Sequence, residues 1–259
     1  MTYFGVLLRF IGPPLVLLAA LALWDRRRGR RVPAWFDTWP PWAILWGHVL
    51  IALVWTTPWD NYLVATRVWW YDPALVTGLT LGWVPIEEYT FFVVQTLMAG
   101  LWLLTWMRRL PAPRAAFRAR NRLRWGVTIG VALIWVLSLV LLLAGLERAR
   151  YMSLIMVWFL PPVLIQLGFG ADILWHHRRM VLLGFLPPFL YLCLVDYLAI
   201  ASGTWIISPQ ATLGLDLLHV LPLEEITFFL MTSVVISLGM VLMLARESHE
   251  RAGTGALGG

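Results

Sequence analysis

The sequence predicts an all-α integral membrane fold: seven transmembrane helices, arranged as two parallel three-helix repeats joined by a linker helix. Three observations carry that expectation. The chain is 60% hydrophobic and 13% charged over 259 residues, whereas a soluble domain carries about 25% charge. Its apolar residues fall in runs of about 20, the length that spans a bilayer. The pattern Pro-x-Glu-Glu-x-Thr-Phe-Phe occurs twice, at 85–92 and 222–229, each time heading an apolar run.

The spans are read at about 4–23, 42–66, 85–106, 125–145, 152–173, 181–201 and 217–244, the second with a possible end near Pro58. The first is a retained helix and not a cleaved signal, because its Arg cluster (Arg26, Arg27, Arg28, Arg30, Arg31) follows the apolar stretch. The loop from Arg108 to Arg124 holds seven Arg, Arg178 and Arg179 lie between spans five and six, and Arg246 and Arg251 lie in the tail. Sixteen of 20 basic residues thus fall on one side, which the positive-inside rule makes cytoplasmic. The expected placement is a multi-pass protein of the cell membrane, N-terminus outside and C-terminus inside. The loops also explain the net charge of +6, so no nucleic-acid partner is expected.

Every basic residue is Arg. Without Lys there is no Schiff-base chemistry, which excludes a retinal protein. Arg9 lies inside the first span, where it either snorkels or pairs with an acid. The single cysteine, Cys193, reads as a small membrane-core residue.

Self-comparison supplies the repeat. Tyr3 and Pro13-Pro14 match Tyr151 and Pro161-Pro162 at an offset of 148; Asp60 matches Asp196, and Trp69 matches Trp205, at 136; Pro85 matches Pro222 at 137. Each unit has three spans, and the fourth is the linker. An even number of crossings starts both units on the same side, so the repeats are parallel. The expected boundaries are 1–110 for the first unit and 111–148 for the Arg-rich loop and linker helix. The second unit takes 149–246, and 247–259 is a flexible tail.

Parallel repeats put Glu87, Glu88, Glu224 and Glu225 at the same face. A Pro at the first helical position and acids in the first turn are ordinary helix-start chemistry. The duplication, and an Asp on the preceding span of each unit (Asp60, Asp196), argue for more. Ionisable groups at membrane depth are rare and usually functional. Crowded carboxyls in an apolar site separate into a proton-holding acid and a base, which suits proton donation to an apolar substrate followed by proton removal. Successive helix residues are about 100° apart, so the two Glu of a pair face different ways. Phe91, Phe92, Phe228 and Phe229 lie one turn below. They either pack the core or stabilise a cation. Trp59, Trp69 and Trp205, on the same face, are candidate lining residues, while most other Trp mark the membrane interface.

These residues resemble the membrane-integral, non-flavin lycopene cyclases, in the fused two-unit form of the heterodimeric type. The resemblance rests on Pro85-Ile86-Glu87-Glu88-Tyr89 with Phe91-Phe92, on Pro222-Leu223-Glu224-Glu225 with Phe228-Phe229, and on Pro58-Trp59-Asp60-Asn61 with Trp69 and Asp72-Pro73. It covers nearly the whole chain. It implies a redox-neutral conversion of the linear ends of lycopene to β-rings. Glu88 or Glu225 would be the acid, and the partner Glu or the Asp the orienter or base. It implies no cofactor and no metal; the expected partners are a linear carotenoid, the bilayer and other carotenoid-pathway enzymes. The halves depart from each other, since Asp72 aligns with Ser208 and Asp196 lacks the Pro-Trp that precedes Asp60. Two alternatives remain open: a C50 or other ε/γ-cyclase of the same family, and a carotenoid- or isoprenoid-binding or transport protein.

Gly253–Gly258 matches Gly-x-Gly-x-x-Gly literally, but no helix can follow it, so it is no dinucleotide fold. His48, His176 and His177 have no metal-binding spacing. His219 aligns with Gly82, which removes it from the repeat.

Overall fold

The computed structural model describes residues 1–36 and 38–253. Seven helices are long and apolar enough to cross a membrane. They are α1 (Tyr3–Arg27), α2 (Pro41–Ala65), α3 (Ile86–Met107), α4 (Asn121–Leu143), α5 (Arg150–His176), α6 (Arg178–Ala201) and α7 (Leu223–Leu244). An eighth, short helix, α8 (Arg246–Ala252), follows. A flexible tail was expected from residue 247. Instead α8 is fastened through Arg251, which binds Asp172 at 2.7 Å, and through the Arg246 N–H, which donates to the Trp35 carbonyl at 3.0 Å. The glycine-rich motif beyond Gly253 lies outside the described residues.

Six short strands stand at one end. β1 (Trp69–Tyr71) pairs with β4 (Trp205–Ile207) in antiparallel register, Trp70 opposite Ile206. β2 (Thr80–Leu81) and β3 (Val84–Pro85) form one hairpin; β5 (Asp216–Leu217) and β6 (Leu221–Pro222) form another. The last span therefore begins at Leu223 and not near 217, because the preceding residues are spent on the hairpin. The second hairpin loop holds one residue more than the first, which accounts for the change of offset from 136 to 137.

Helices α3 and α7 are the most buried. α3 packs on α1, α2, α6 and α7; α7 packs on α5, α6, α2 and α3. The linker α4 packs on α5, and Ser138 is its buried residue. Beyond its polar first turn, residues 121–124, the exposed surface is mainly apolar, which suits a helix that faces lipid.

Prolines inside helices free a carbonyl four residues earlier, and in hydrocarbon such a group needs a partner. Three of them find one. The Tyr191 hydroxyl donates to the Phe10 carbonyl freed by Pro14, at 2.6 Å. The Trp135 indole donates to Val157, freed by Pro161, at 3.1 Å. The Trp102 indole donates to Leu183, freed by Pro187, at 2.7 Å. α2 likewise runs on through Pro58 to Ala65.

Candidate active site

The first turns of α3 and α7 enter from the hairpins through Pro85 and Pro222, which end the β-strands in extended conformation and cap the helices one residue ahead of the first-turn position the sequence suggested. The two Glu of each pair separate as helical geometry requires. Glu88 and Glu225 face the interior, where one cavity receives both. Glu87 and Glu224 turn to the hairpin segments: Glu87 Oε1 accepts from the Thr77 N–H at 2.6 Å, and Glu224 Oε1 from the Leu213 N–H at 2.8 Å.

The cavity is small, about 20 Å³, room for a water. Tyr3, Tyr71, Trp69, Trp205, Phe91, Phe228 and Phe229 wall it, and Asp196 joins the two glutamates on its lining. Asp60 is fully buried beside it, and Glu88, Asp196 and Glu225 are between 1% and 5% exposed. Glu88 is near enough to interact electrostatically with both Asp196 and Glu225. Among the described residues no basic side chain lines the cavity.

Phenols and indoles supply the hydrogen bonds. The Tyr3 and Tyr71 hydroxyls donate to Glu88 Oε2 at 2.6 and 2.9 Å. The Tyr151 hydroxyl donates to Glu225 Oε1 at 2.6 Å, and the Trp205 indole to Asp196 Oδ1 at 2.8 Å. The Trp69 indole faces Asp60 in a looser contact than the Trp205 bond to Asp196. Burial, and then the charges of Asp60 and Glu88, push the Tyr71 phenol well above its ordinary range, so it stays a donor. Tyr3 and Tyr151 are held by the N-terminal turns of α1 and α5, whose backbone N–H groups bind the Leu75 and Ala211 carbonyls at 2.8 and 3.0 Å.

Of the aromatic candidates, Phe91, Phe228, Phe229, Trp69 and Trp205 reach the cavity. Phe92 does not; it packs beside Tyr89 and Phe91. Trp59 stacks on Phe228 at 5.6 Å and meets Phe159 edge-on at 5.4 Å, a plug beneath the acids. Below the plug, α2, α5, α7 and, at its far end, α8 bound a second, open groove of about 530 Å³, lined by Ile51, Ile165, Phe169, Leu242 and Met243 with His48 and Gln166. Sequence reasoning missed Tyr71 and the site role of Tyr3 and Tyr151. The last two carried a readable signal, their recurrence at the head of each unit. Arg9 is exposed and sits against the Met1 sulfur at 3.5 Å, with no acid as partner among the described residues. The Arg-rich end instead pairs Asp25, fully buried, with Arg109 at 2.9 Å and Arg108 at 3.7 Å.

The family model described as lycopene cyclase matches residues 5–106 and 149–243. A protein of Halobacterium salinarum named lycopene beta-cyclase is 39% identical over 245 residues, which cover 93% of this chain and 95% of that protein. Proteins of Podospora anserina and Aspergillus oryzae, each named bifunctional lycopene cyclase/phytoene synthase, are 34% and 36% identical over 75% and 74% of this chain. The match takes in 34% and 33% of those longer proteins. No solved structure matches. With its seven apolar helices this is a multi-pass membrane protein, and the chain belongs to the lycopene cyclase family.

Proposed function

We propose that the chain cyclises the linear ends of lycopene to β-rings, with Glu225 as proton donor and Glu88 as proton acceptor in one shared cavity. The observation that carries this is the meeting of both glutamates, from two distant copies of one motif, on the lining of a single aromatic-walled cavity. Glu225 gives a proton to the terminal C1=C2 bond, leaving a tertiary cation at C1. The C5=C6 bond attacks it and closes the ring. Glu88 removes a proton from C6, which places the ring double bond in the β position. One proton enters and one leaves, so no electrons are exchanged. The faces of Phe91, Phe228 and Phe229 suit the passing cation.

The division of roles rests on hydrogen bonding. Two phenols on Glu88 favour its charged form, as suits a base, more than the single phenol on Glu225 does there. Asp60 and Asp196 then return the proton from Glu88 to Glu225 between turnovers.

The end group is larger than the 20 Å³ of the cavity, so the plug of Trp59, Phe159 and Phe228 must move to admit it. The groove below shares α2, α5 and α7 with that plug, and it suits the hydrocarbon arm of the substrate. The units 1–110 and 149–246 act as two related halves, with 111–148 as loop and linker. The Arg asymmetry supports an external N-terminus, a cytoplasmic C-terminus and a cell-membrane location. Association with the lipid bilayer and with other carotenoid-pathway enzymes belongs to the same reading.

Expression in a lycopene-accumulating bacterium tests it. β-Carotene is the expected pigment. Unchanged lycopene, with the protein present in the membrane, overturns the reading, and ε-rings overturn the assigned deprotonation at C6.

A further inference from the structure

At the Arg-rich end, far from the acid cavity, two consecutive histidines meet a glutamate from 70 residues along the chain. His176 ends α5, His177 links it to α6, and Glu247 lies in the first turn of α8. His177 Nε2 is 3.1 Å from Glu247 Oε2, and His176 Nε2 is 3.6 Å from Glu247 Oε1. One ligand atom from each of the three residues lies within 4.8 Å of the other two. Zinc held tetrahedrally at about 2.0–2.2 Å from His nitrogen and carboxylate oxygen sets its donors about 3.3–3.5 Å apart. The two measured separations, one to each oxygen of Glu247, are of that order, and a small rotation of the carboxylate would present one oxygen to both imidazoles.

The surroundings are those of a built site. His177 is 4% exposed, and the side chains of His176 and Glu247 are 14% exposed. Phe36 packs on His177 at 4.7 Å and Phe117 on His176 at 5.6 Å. The imidazoles stand edge to face at 81°, so they do not stack on each other. Arg178, next in the chain, donates to the Trp175 carbonyl at 3.2 Å and lies over the Trp175 ring, with its charge still felt at His176. A His–Glu hydrogen bond alone needs only His177. At 3.6 Å, His176 is too far for one, which leaves an ion pair with Glu247 or a shared cation as the reason for its place.

We propose that His176, His177 and Glu247 bind one divalent transition cation of the zinc class, with water as fourth ligand, fastening α8 to the turn between α5 and α6. The two histidines are adjacent and their third partner is remote, so no sequence spacing announces the set.

The test uses the full chain in detergent, purified through a tag without histidine, stripped with chelator and then dialysed against zinc chloride. The expected result is one zinc per chain and a melting temperature raised by about 5 °C or more. Glu247→Gln, nearly isosteric, weakens binding at least tenfold, and the double variant His176→Asn with Glu247→Gln abolishes it. Cyclisation of lycopene by the variants stays at the parent rate, which separates this site from the acid cavity. Zinc below a tenth of an equivalent on the parent chain overturns the proposal. So does equal binding by the double variant.

Discussion

The two halves of the molecule use the same acids in unlike surroundings. In the first, Glu88 accepts from two phenols, Tyr3 and Tyr71, and Asp60 has the Trp69 indole in a looser contact. In the second, Glu225 accepts from Tyr151, and Asp196 is bound by Trp205. The difference comes from positions outside the repeated motif. Tyr71 corresponds to Ile207 at the common offset of 136, and β1 and β4 carry these residues on paired strands. Two copies of one carboxylate pattern are made unequal by what is laid across them. The likeness suggests two sites, one for each end of a symmetric substrate, whereas the shared cavity argues for one site with divided labour.

The sharpest way to break the comparison is to remove each acid alone. Glu88→Gln and Glu225→Gln should each lower cyclisation by about 100- to 10,000-fold, the range of general acid–base catalysis. Pigment analysis in a lycopene-accumulating host decides between the two pictures. If each half served one end of the substrate, either single variant would accumulate a one-ringed product near the parent rate. With one shared cavity, both variants leave lycopene.

The phenols come next. Removing a hydrogen bond to a charged group costs about 1.5–3 kcal/mol, or roughly 10- to 100-fold in rate. Tyr151→Phe leaves Glu225 with no phenol donor and should fall near the upper figure. Tyr71→Phe leaves Tyr3 on Glu88 and should lose about tenfold or less. Initial rates in membranes with lycopene as substrate would measure both. A larger loss in Tyr71→Phe than in Tyr151→Phe would reverse the assigned roles.

Much of this was legible in the sequence, for identifiable reasons. The spans announce themselves because hydrocarbon tolerates few polar residues. Glu88, Glu225, Asp60 and Asp196 stand out because charge there is costly and the cost is incurred twice. Which Glu of each pair turns inward was not legible, since it depends on backbone donors at Thr77 and Leu213 that only the folded hairpins present. Tyr71 was hidden because it breaks the repeat, and self-comparison sees only what recurs. The partners of α8 were hidden for another reason: Asp172 and His177 meet Arg251 and Glu247 across 79 and 70 residues.

The outward glutamates should separate stability from catalysis. Glu87→Gln and Glu224→Gln retain the acceptor for Thr77 and Leu213 and should keep nearly the parent cyclisation rate, in contrast to their neighbours. Glu87→Ala and Glu224→Ala lose a hairpin bond. Each should cost about 1 kcal/mol, a fall of about 2–4 °C in melting temperature. A large loss of rate with unchanged melting in Glu87→Gln would return that residue to the chemistry.

The smallest expected effect compares one backbone position in the two hairpins. Gly82 has φ +70° and its counterpart His219 has φ +57°, both left-handed. Glycine adopts that region freely, while a residue with a Cβ is disfavoured there by roughly 1–2 kcal/mol. The first hairpin has a two-residue loop, and a Cβ on Gly82 would meet the Asn61 side chain. That side chain accepts from the Trp83 N–H at 2.7 Å and donates to the Tyr89 hydroxyl at 2.9 Å. Gly82→Ala should therefore lose the backbone preference and disturb Asn61 as well. The second hairpin has a longer loop, and Tyr197 replaces Asn61 at the aligned position. His219→Gly should relieve the strain and raise stability by about 1 kcal/mol. Opposite signs at aligned positions, read by thermal melting in detergent, would mean that the second hairpin tolerates a strained residue where the first cannot. Equal destabilisation by both substitutions would instead assign His219 a contact that outweighs its backbone strain.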